Sequence, residues 1–199
     1  MGNAVTAKKG TIGNKTFAVS GDTLEEIQDS LFANQLKGST DAVGDCKTGI
    51  STPKITNFIE KESKKPKKKG TTEITITAKP GKKVELTGTI TLPALKSDKK
   101  LSAKGKAEWK RFYGALKSHE DDHVAEVWKL TQTIADELSA LEGKGVGKDK
   151  DAALKAAKAD YKKQYAKAFS DSAIMARVTK AHATVDSKGN TFTLDVNKQ

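Results

Sequence analysis

Ser118-His119-Glu120-Asp121-Asp122-His123 is the stretch on which the reading of this chain turns. It has the form H-E-x-x-H. On a helix the two histidines are one turn apart and project from the same face. Two imidazoles so placed can hold one metal ion, and the glutamate beside the first can take a proton from water at that ion. Five residues recur by chance, so the surroundings decide what the pattern means.

Outward from it, Trp109, Phe112, Leu116, His119, His123, Val127, Leu130, Ile134, Leu138 and Leu141 follow one another at steps of three or four. At about 100° per residue they occupy one apolar arc. This predicts a long helix from an N-cap at Ser102 to Leu141, stopped by Gly143. Both histidines fall inside the stripe and Glu120 at its edge. Imidazoles and a carboxylate facing a core are costly unless something pairs them, and Zn²⁺ with its water would do so. The plainer alternative is a pair of half-buried histidines satisfied by ordinary hydrogen-bond partners.

A catalytic zinc takes three protein ligands and keeps one position open. The chain has 3 histidines. His182, past the second long helix, is the simplest third ligand, with Asp160, Asp171 and Asp186 as acidic rivals. Glu126 and Glu137 lie on the first helix at spacings that do not suit. Read without metal, His182 is a surface histidine at a helix end, where the dipole favours it. Arg177, Tyr161 and Tyr165 are candidates to stabilise an oxyanion, and the sequence does not choose among them.

The rest of the chain alternates or punctuates. Residues 1–14 read as a loosely ordered N-terminus, and 15–199 as a single domain. Thr16–Ser20 reads as a strand. Asp22 and Glu25 read as the capping pair of a short helix whose buried stripe is Leu24, Ile27, Leu31 and Phe32. Strands follow at 54–62, 73–78 and 84–92, the last ended by Pro93 and carrying Gly88 as a bulge or close-approach point. Their short connections predict antiparallel pairing. Residues 143–148 read as a glycine–lysine linker. A second long helix, capped by Asp149 or Asp151, carries Leu154, Ala157, Tyr161, Tyr165, Ala168, Ser172 and Met175 inward. A hairpin from 183–185 to 191–196 closes the chain. The fold class expected is α+β, an antiparallel sheet packed against two long helices.

The 199 residues carry a formal net charge of +11, with 36% hydrophobic and 31% charged residues. Nearly all the positive charge is lysine, Arg111 and Arg177 being the arginines, and few aromatics are interleaved. This argues against specific nucleic-acid readout. The run Lys64-Lys65-Pro66-Lys67-Lys68-Lys69 reads as a solvated hairpin loop or as a patch for an acidic or cell-envelope surface. No apolar run is long enough for a membrane span, the first residues have no apolar signal core, and Cys46 has no second cysteine to pair with. A monomer is expected.

The ordered set Phe17-Ala18-Val19-Ser20-Gly21-Asp22-Thr23-Leu24-Glu25-Glu26-Ile27, Thr91-Leu92-Pro93, Glu108-Trp109-Lys110-Arg111-Phe112, Leu116, His119-Glu120 and His123 resembles a bacterial family of predicted secreted zinc-dependent proteases, catalogued mainly as a domain of unknown function. The resemblance implies a zincin-like metallopeptidase fold, a secreted or periplasmic location, Zn²⁺ on His119 and His123, and Glu120 as general base toward a protein or peptide substrate. The family places a histidine–glycine pair after the second long helix. Here that region reads Ala176-Arg177-Val178-Thr179-Lys180-Ala181-His182-Ala183. The alternative function is a non-catalytic, metal-containing or polyanion-binding module on the same scaffold.

Overall fold

A computed structural model describes residues 4–34, 43–188 and 192–198. The chain is α+β. In order it forms β1 (Val5–Val19), α1 (Leu24–Ala33), β2 (Asp45–Ser51), β3 (Phe58–Glu62), β4 (Thr72–Ala78), β5 (Lys82–Leu95), α2 (Ala103–Ala140), β6 (Glu142–Gly147), α3 (Lys150–Phe169) and α4 (Asp171–Asp186). The strands make two three-stranded sheets, ordered β1-β5-β2 and β3-β4-β6, where the sequence suggests one. Two compact units result. One is drawn from Met1–Gly10, Gly49–Leu86 and Trp128–Lys180, the other from Thr11–Thr48, Thr87–Val127 and Ala181–Gln199. Each is described on its own.

In the first unit, β4 pairs antiparallel with both β3 and β6, with Phe58 opposite Ala78 and Ile74 opposite Gly145. The core there is Ile74 and Ile76 of β4 against Ala153, Ala157 and Tyr161 of α3. The expected glycine–lysine linker is in fact the edge strand β6. Its glycines alternate, so Gly143, Gly145 and Gly147 share one face. A Cβ on any of them would run into backbone atoms of α3 at Ala152–Tyr161. Glycine serves here for close approach, not for a turn. Gly145→Ala should therefore lower the unfolding free energy by about 3 kcal/mol, the upper range for overpacking, because backbone cannot yield as a side chain can. Urea denaturation with an unchanged m-value checks it.

Asp149 caps α3, its side chain accepting from Ala152 N–H at 2.8 Å. The second long helix is two helices. Ser170 is extended (φ −64°, ψ 157°) and resets the register. Ile174 and Val178 then face inward, while Ser172, Met175 and Ala168 are exposed, against the expected stripe. The lysine run lies in the exposed β3–β4 connection, where Lys67 N–H donates to the Glu73 carboxylate at 2.9 Å.

In the second unit, the helix cap is one residue later than expected. Thr23 Oγ1 accepts from Glu26 N–H at 3.2 Å, and the Glu26 carboxylate accepts from Asp22 N–H at 2.6 Å. Leu24, Ile27 and Leu31 are buried and Phe32 is exposed. Ser102 does cap α2, its Oγ accepting from Gly105 N–H at 3.0 Å. β1 begins at Val5, where loosely ordered chain was expected up to residue 14; Val5 is fully buried and its N–H donates to Ser139 Oγ within the first unit. β5 runs through Pro93 to Leu95, and Lys96 N–H then donates to Val19 carbonyl at 2.9 Å. β2, not anticipated, lies beside β5. A Cβ on Gly88 would sit 2.7 Å from the Lys47 carbonyl, so that glycine is the expected close-approach point.

The closing hairpin is absent from the described residues. Ala183–Val185 continue α4, because Ile174, Val178, Ala181 and Val185 recur at helical steps and Val185 is fully buried. Residues 189–191, which hold the end of the expected turn and the first residue of its second strand, lie outside the described residues. Among those described, no helix is long and apolar enough to cross a membrane.

Candidate metal centre

The motif sits in the second unit, on the middle of α2. Phe112, Leu116 and Val127 are buried on the same stripe and fix the helix's rotation, so that His123 and Glu120 are buried too. The last turns of α4 supply a second pair at the same spacing, His182 and Asp186. In each pair the side chains share a face because four residues make about one turn.

His119 Nε2 and His123 Nε2 are 3.1 Å apart. Asp186 Oδ1 is 3.2 Å from His123 Nε2 and 3.6 Å from His119 Nε2. These three form a group with the donor chemistry to hold a metal ion. A tetrahedral zinc with bonds of about 2.0–2.1 Å separates its ligand atoms by about 3.3 Å. The triangle straddles that value, and two imidazoles with one carboxylate are a zinc donor set. The residues therefore fit the ion. Asp186 has a second peculiarity: a carboxylate in a helix's last turn opposes the dipole, and its side chain remains 61% exposed.

His182 meets the other side of the same ring. Its Nδ1 is 2.9 Å from His123 Nδ1, and its Nε2 is 2.8 Å from Thr48 Oγ1 on β2. One tautomer set satisfies this row. His123 Nδ1–H donates to His182 Nδ1, and His182 Nε2–H donates to Thr48 Oγ1, leaving His123 Nε2 with its lone pair toward His119 and Asp186. Of the residues weighed as third ligand, Asp186 thus faces the two Nε2 atoms and His182 stands behind His123. Asp160 instead accepts from Lys144 N–H and Gln164, and Glu137 is held by Arg177 at 2.7 and 2.9 Å. Thr48 was missed because β2 carries no alternation that marks a strand.

Burial favours the neutral ring at His123 and His182. Burial, then His182, pushes His123 down to about 4, against the pull of Asp186; burial lowers His182 as well. Burial raises Glu120 to about 7, with Asp45, Asp186 and Asp121 adding to it. Gly44 lies against this carboxylate, and a Cβ there would be 2.7 Å from Glu120 Oε1. Cys46 is held as a thiol, pushed up to about 12 by burial and by Glu120.

One buried acid belongs to none of this. Glu108, 3% exposed, precedes Phe112 by one turn on the same stripe. It accepts from Arg111 Nε and Nη2 at 2.9 and 2.6 Å, from Asp195 N–H at 3.0 Å, and from Lys198. It so pins the segment 192–198, from which Phe192 packs on His119 with ring centroids 4.9 Å apart. A glutamate four residues before Phe112 with an arginine three residues on was the available signal. Arg111, above all, holds its carboxyl down at about 2. A depressed carboxylate stabilises the fold above its unfolded pKa near 4.5, and that contribution is lost as pH falls toward 2. Glu108→Gln should be less stable than wild type at pH 6, and the gap should close between about pH 4.5 and 2. Chemical denaturation across that range checks it.

The family described as "Bacterial protein of unknown function (DUF922)" matches residues 14–182, and the chain belongs to it. No curated protein and no solved structure matches the chain.

Proposed function

For this member of the DUF922 family we propose zinc-dependent hydrolysis of peptide bonds, with His119, His123 and Asp186 as the ligands and Glu120 as the general base. The observation that carries the reading is the triangle of Nε2, Nε2 and Oδ1 at 3.1, 3.2 and 3.6 Å, with a buried glutamate next to its first member. His119, His123 and Asp186 would hold the zinc ion, which would supply Lewis acidity to a scissile carbonyl and lower the pKa of water near neutral pH. Glu120 takes the proton of the attacking water on its carboxylate and returns it to the leaving amine. A carboxyl raised toward 7 by burial is well matched to both transfers at neutral pH. Gly44 keeps the space beside Oε1 clear for that carboxylate. The test is hydrolysis of unstructured protein such as casein. It should vanish on chelation and return on adding zinc in stoichiometric amount; hydrolysis indifferent to chelation contradicts the reading.

On this account His182 acts through His123, holding its ring and tautomer. His182→Gln should weaken zinc affinity about 10–100-fold, as loss of such outer partners does, without abolishing it, while Asp186→Asn should cost more. Competition titration against a chromogenic chelator ranks the two.

A second reading is favoured by the exposed lysines of the β3–β4 connection. A chain that keeps its metal for structure and docks on an anionic envelope polymer would need such a patch. Retention on heparin that is lost on changing Lys64, Lys65 and Lys67–Lys69 to serine, together with no turnover of any peptide panel, would select it.

A further inference from the structure

The first unit contains a cleft of about 720 Å³ between α3 and the segment linking β2 to β3. That is the size of sites that enclose small molecules. Its apolar wall is Ile55, Phe58, Tyr161, Tyr165 and Phe169. The wall is built before any ligand arrives. Phe58 meets Tyr161 edge-on with centroids 5.0 Å apart, and Tyr165 packs on Phe169 at 5.6 Å. Tyr165 Oη donates toward Thr52 Oγ1 and the Pro53 carbonyl, both at 3.0 Å, which ties the linking segment to α3. Ile55 and Phe58 stay only partly buried although they pack on the core. Tyr161 is 3% exposed, and its hydroxyl is enclosed without a hydrogen-bond partner among the described residues. A buried hydroxyl left so is costly, and this wall sustains it beside an open cleft.

The charges around the cleft are one-sided. Lys158 and Lys162, one turn apart on α3, and Lys54 across from them line it, against the single carboxylate of Asp171. None of the three lysines makes an ion pair among the described residues, whereas lysines elsewhere in the unit do, as Lys8 with Glu85 and Lys150 with Glu60. An aromatic and aliphatic wall beside unpaired ammonium groups complements a molecule with an apolar body and one negative head.

We propose that this cleft binds a small amphipathic anion, its alkyl or aryl body against Ile55, Phe58 and Tyr165 and its anionic head toward Lys54, Lys158 and Lys162. The long lysine stems extend the apolar wall while their heads meet the anion.

The experiment uses the full chain and two probes that differ only in head charge, decanoate and decyltrimethylammonium, each titrated against bound anilinonaphthalene sulfonate. Decanoate should displace the dye at least tenfold more tightly than the cation. In the double variant Lys158→Glu, Lys162→Glu the order should invert. Ala166 lines the cleft and is exposed, so Ala166→Trp should obstruct the cleft and weaken displacement by decanoate at least tenfold with the thermal midpoint unchanged. The proposal is overturned if wild type does not distinguish the two heads, if neither probe binds saturably, or if decanoate binding survives the charge reversal. Survival there would place the carboxylate elsewhere in the chain.

Discussion

Glu120→Gln should leave zinc affinity close to wild type and lower the turnover of peptide substrates by about 10²–10⁴-fold, the usual contribution of a positioned general base. The substitution keeps the side chain's shape and replaces the carboxylate that takes the proton with a neutral amide. Shape matters because the carboxylate occupies space that a Cβ on Gly44 would contest at 2.7 Å from Oε1. Removing a carboxylate raised to about 7 by burial and by Asp45, Asp186 and Asp121 also has a stability consequence of defined sign. A carboxyl whose folded pKa is above its unfolded value loses stability as pH climbs from about 4.5 through 7. In metal-free protein, Glu120→Gln should therefore unfold at a higher temperature than wild type at pH 8, with the difference vanishing by about pH 4. Steady-state kinetics and a pH series of melting curves read the two effects separately. A variant with wild-type turnover would remove Glu120 from the chemistry.

His123→Ala should have the second large effect, loss of stoichiometric zinc altogether. This ring is the hub of the arrangement. Its Nε2 faces His119 and Asp186, and its Nδ1 meets His182. Removing it deletes a ligand and strands His182 and Thr48, whose row ends on it. Losing one of three ligands removes most of the binding free energy, so the zinc-induced rise in melting temperature that wild type should show by mass action should be absent. His119→Ala should behave alike in zinc binding but leave the His123–His182–Thr48 row intact. Metal-free His119→Ala should consequently be the more stable of the two.

The helix that carries the motif was legible because its signal is long. A stripe from Phe112 to Leu138 keeps one face buried over many turns, and the histidine and glutamate positions fall in its arc. Elements whose reason is tertiary were not legible. Gly143, Gly145 and Gly147 look like punctuation, yet they are small because α3 passes over them. The break at Ser170 follows no proline or glycine, so the stripe seemed to run on to Ser172 and Met175, which the restarted helix turns to solvent. Ala183–Val185 looked like the start of a hairpin because three residues do not separate alternation from the tail of a helix; the burial of Val185 decides it. In the site, the first pair of candidate ligands is a matter of local spacing. The third depends on which ring nitrogen each returning side chain meets, which periodicity does not encode. Glu108, one turn before Phe112, falls on the buried stripe by its spacing, but its partners Asp195 and Lys198 lie far along the chain.

The central claim is that His119, His123 and Asp186 hold one zinc ion. X-ray absorption at the zinc edge, on protein loaded with one equivalent and dialysed, tests it most directly. The account predicts one zinc per chain in a shell of nitrogen and oxygen only, at about 2.0–2.1 Å. The outer-shell signature should be that of two imidazoles, and His119→Ala taken through the same loading and dialysis should retain no stoichiometric zinc. Protein that retains no stoichiometric zinc, or a shell containing sulfur from Cys46, would contradict it.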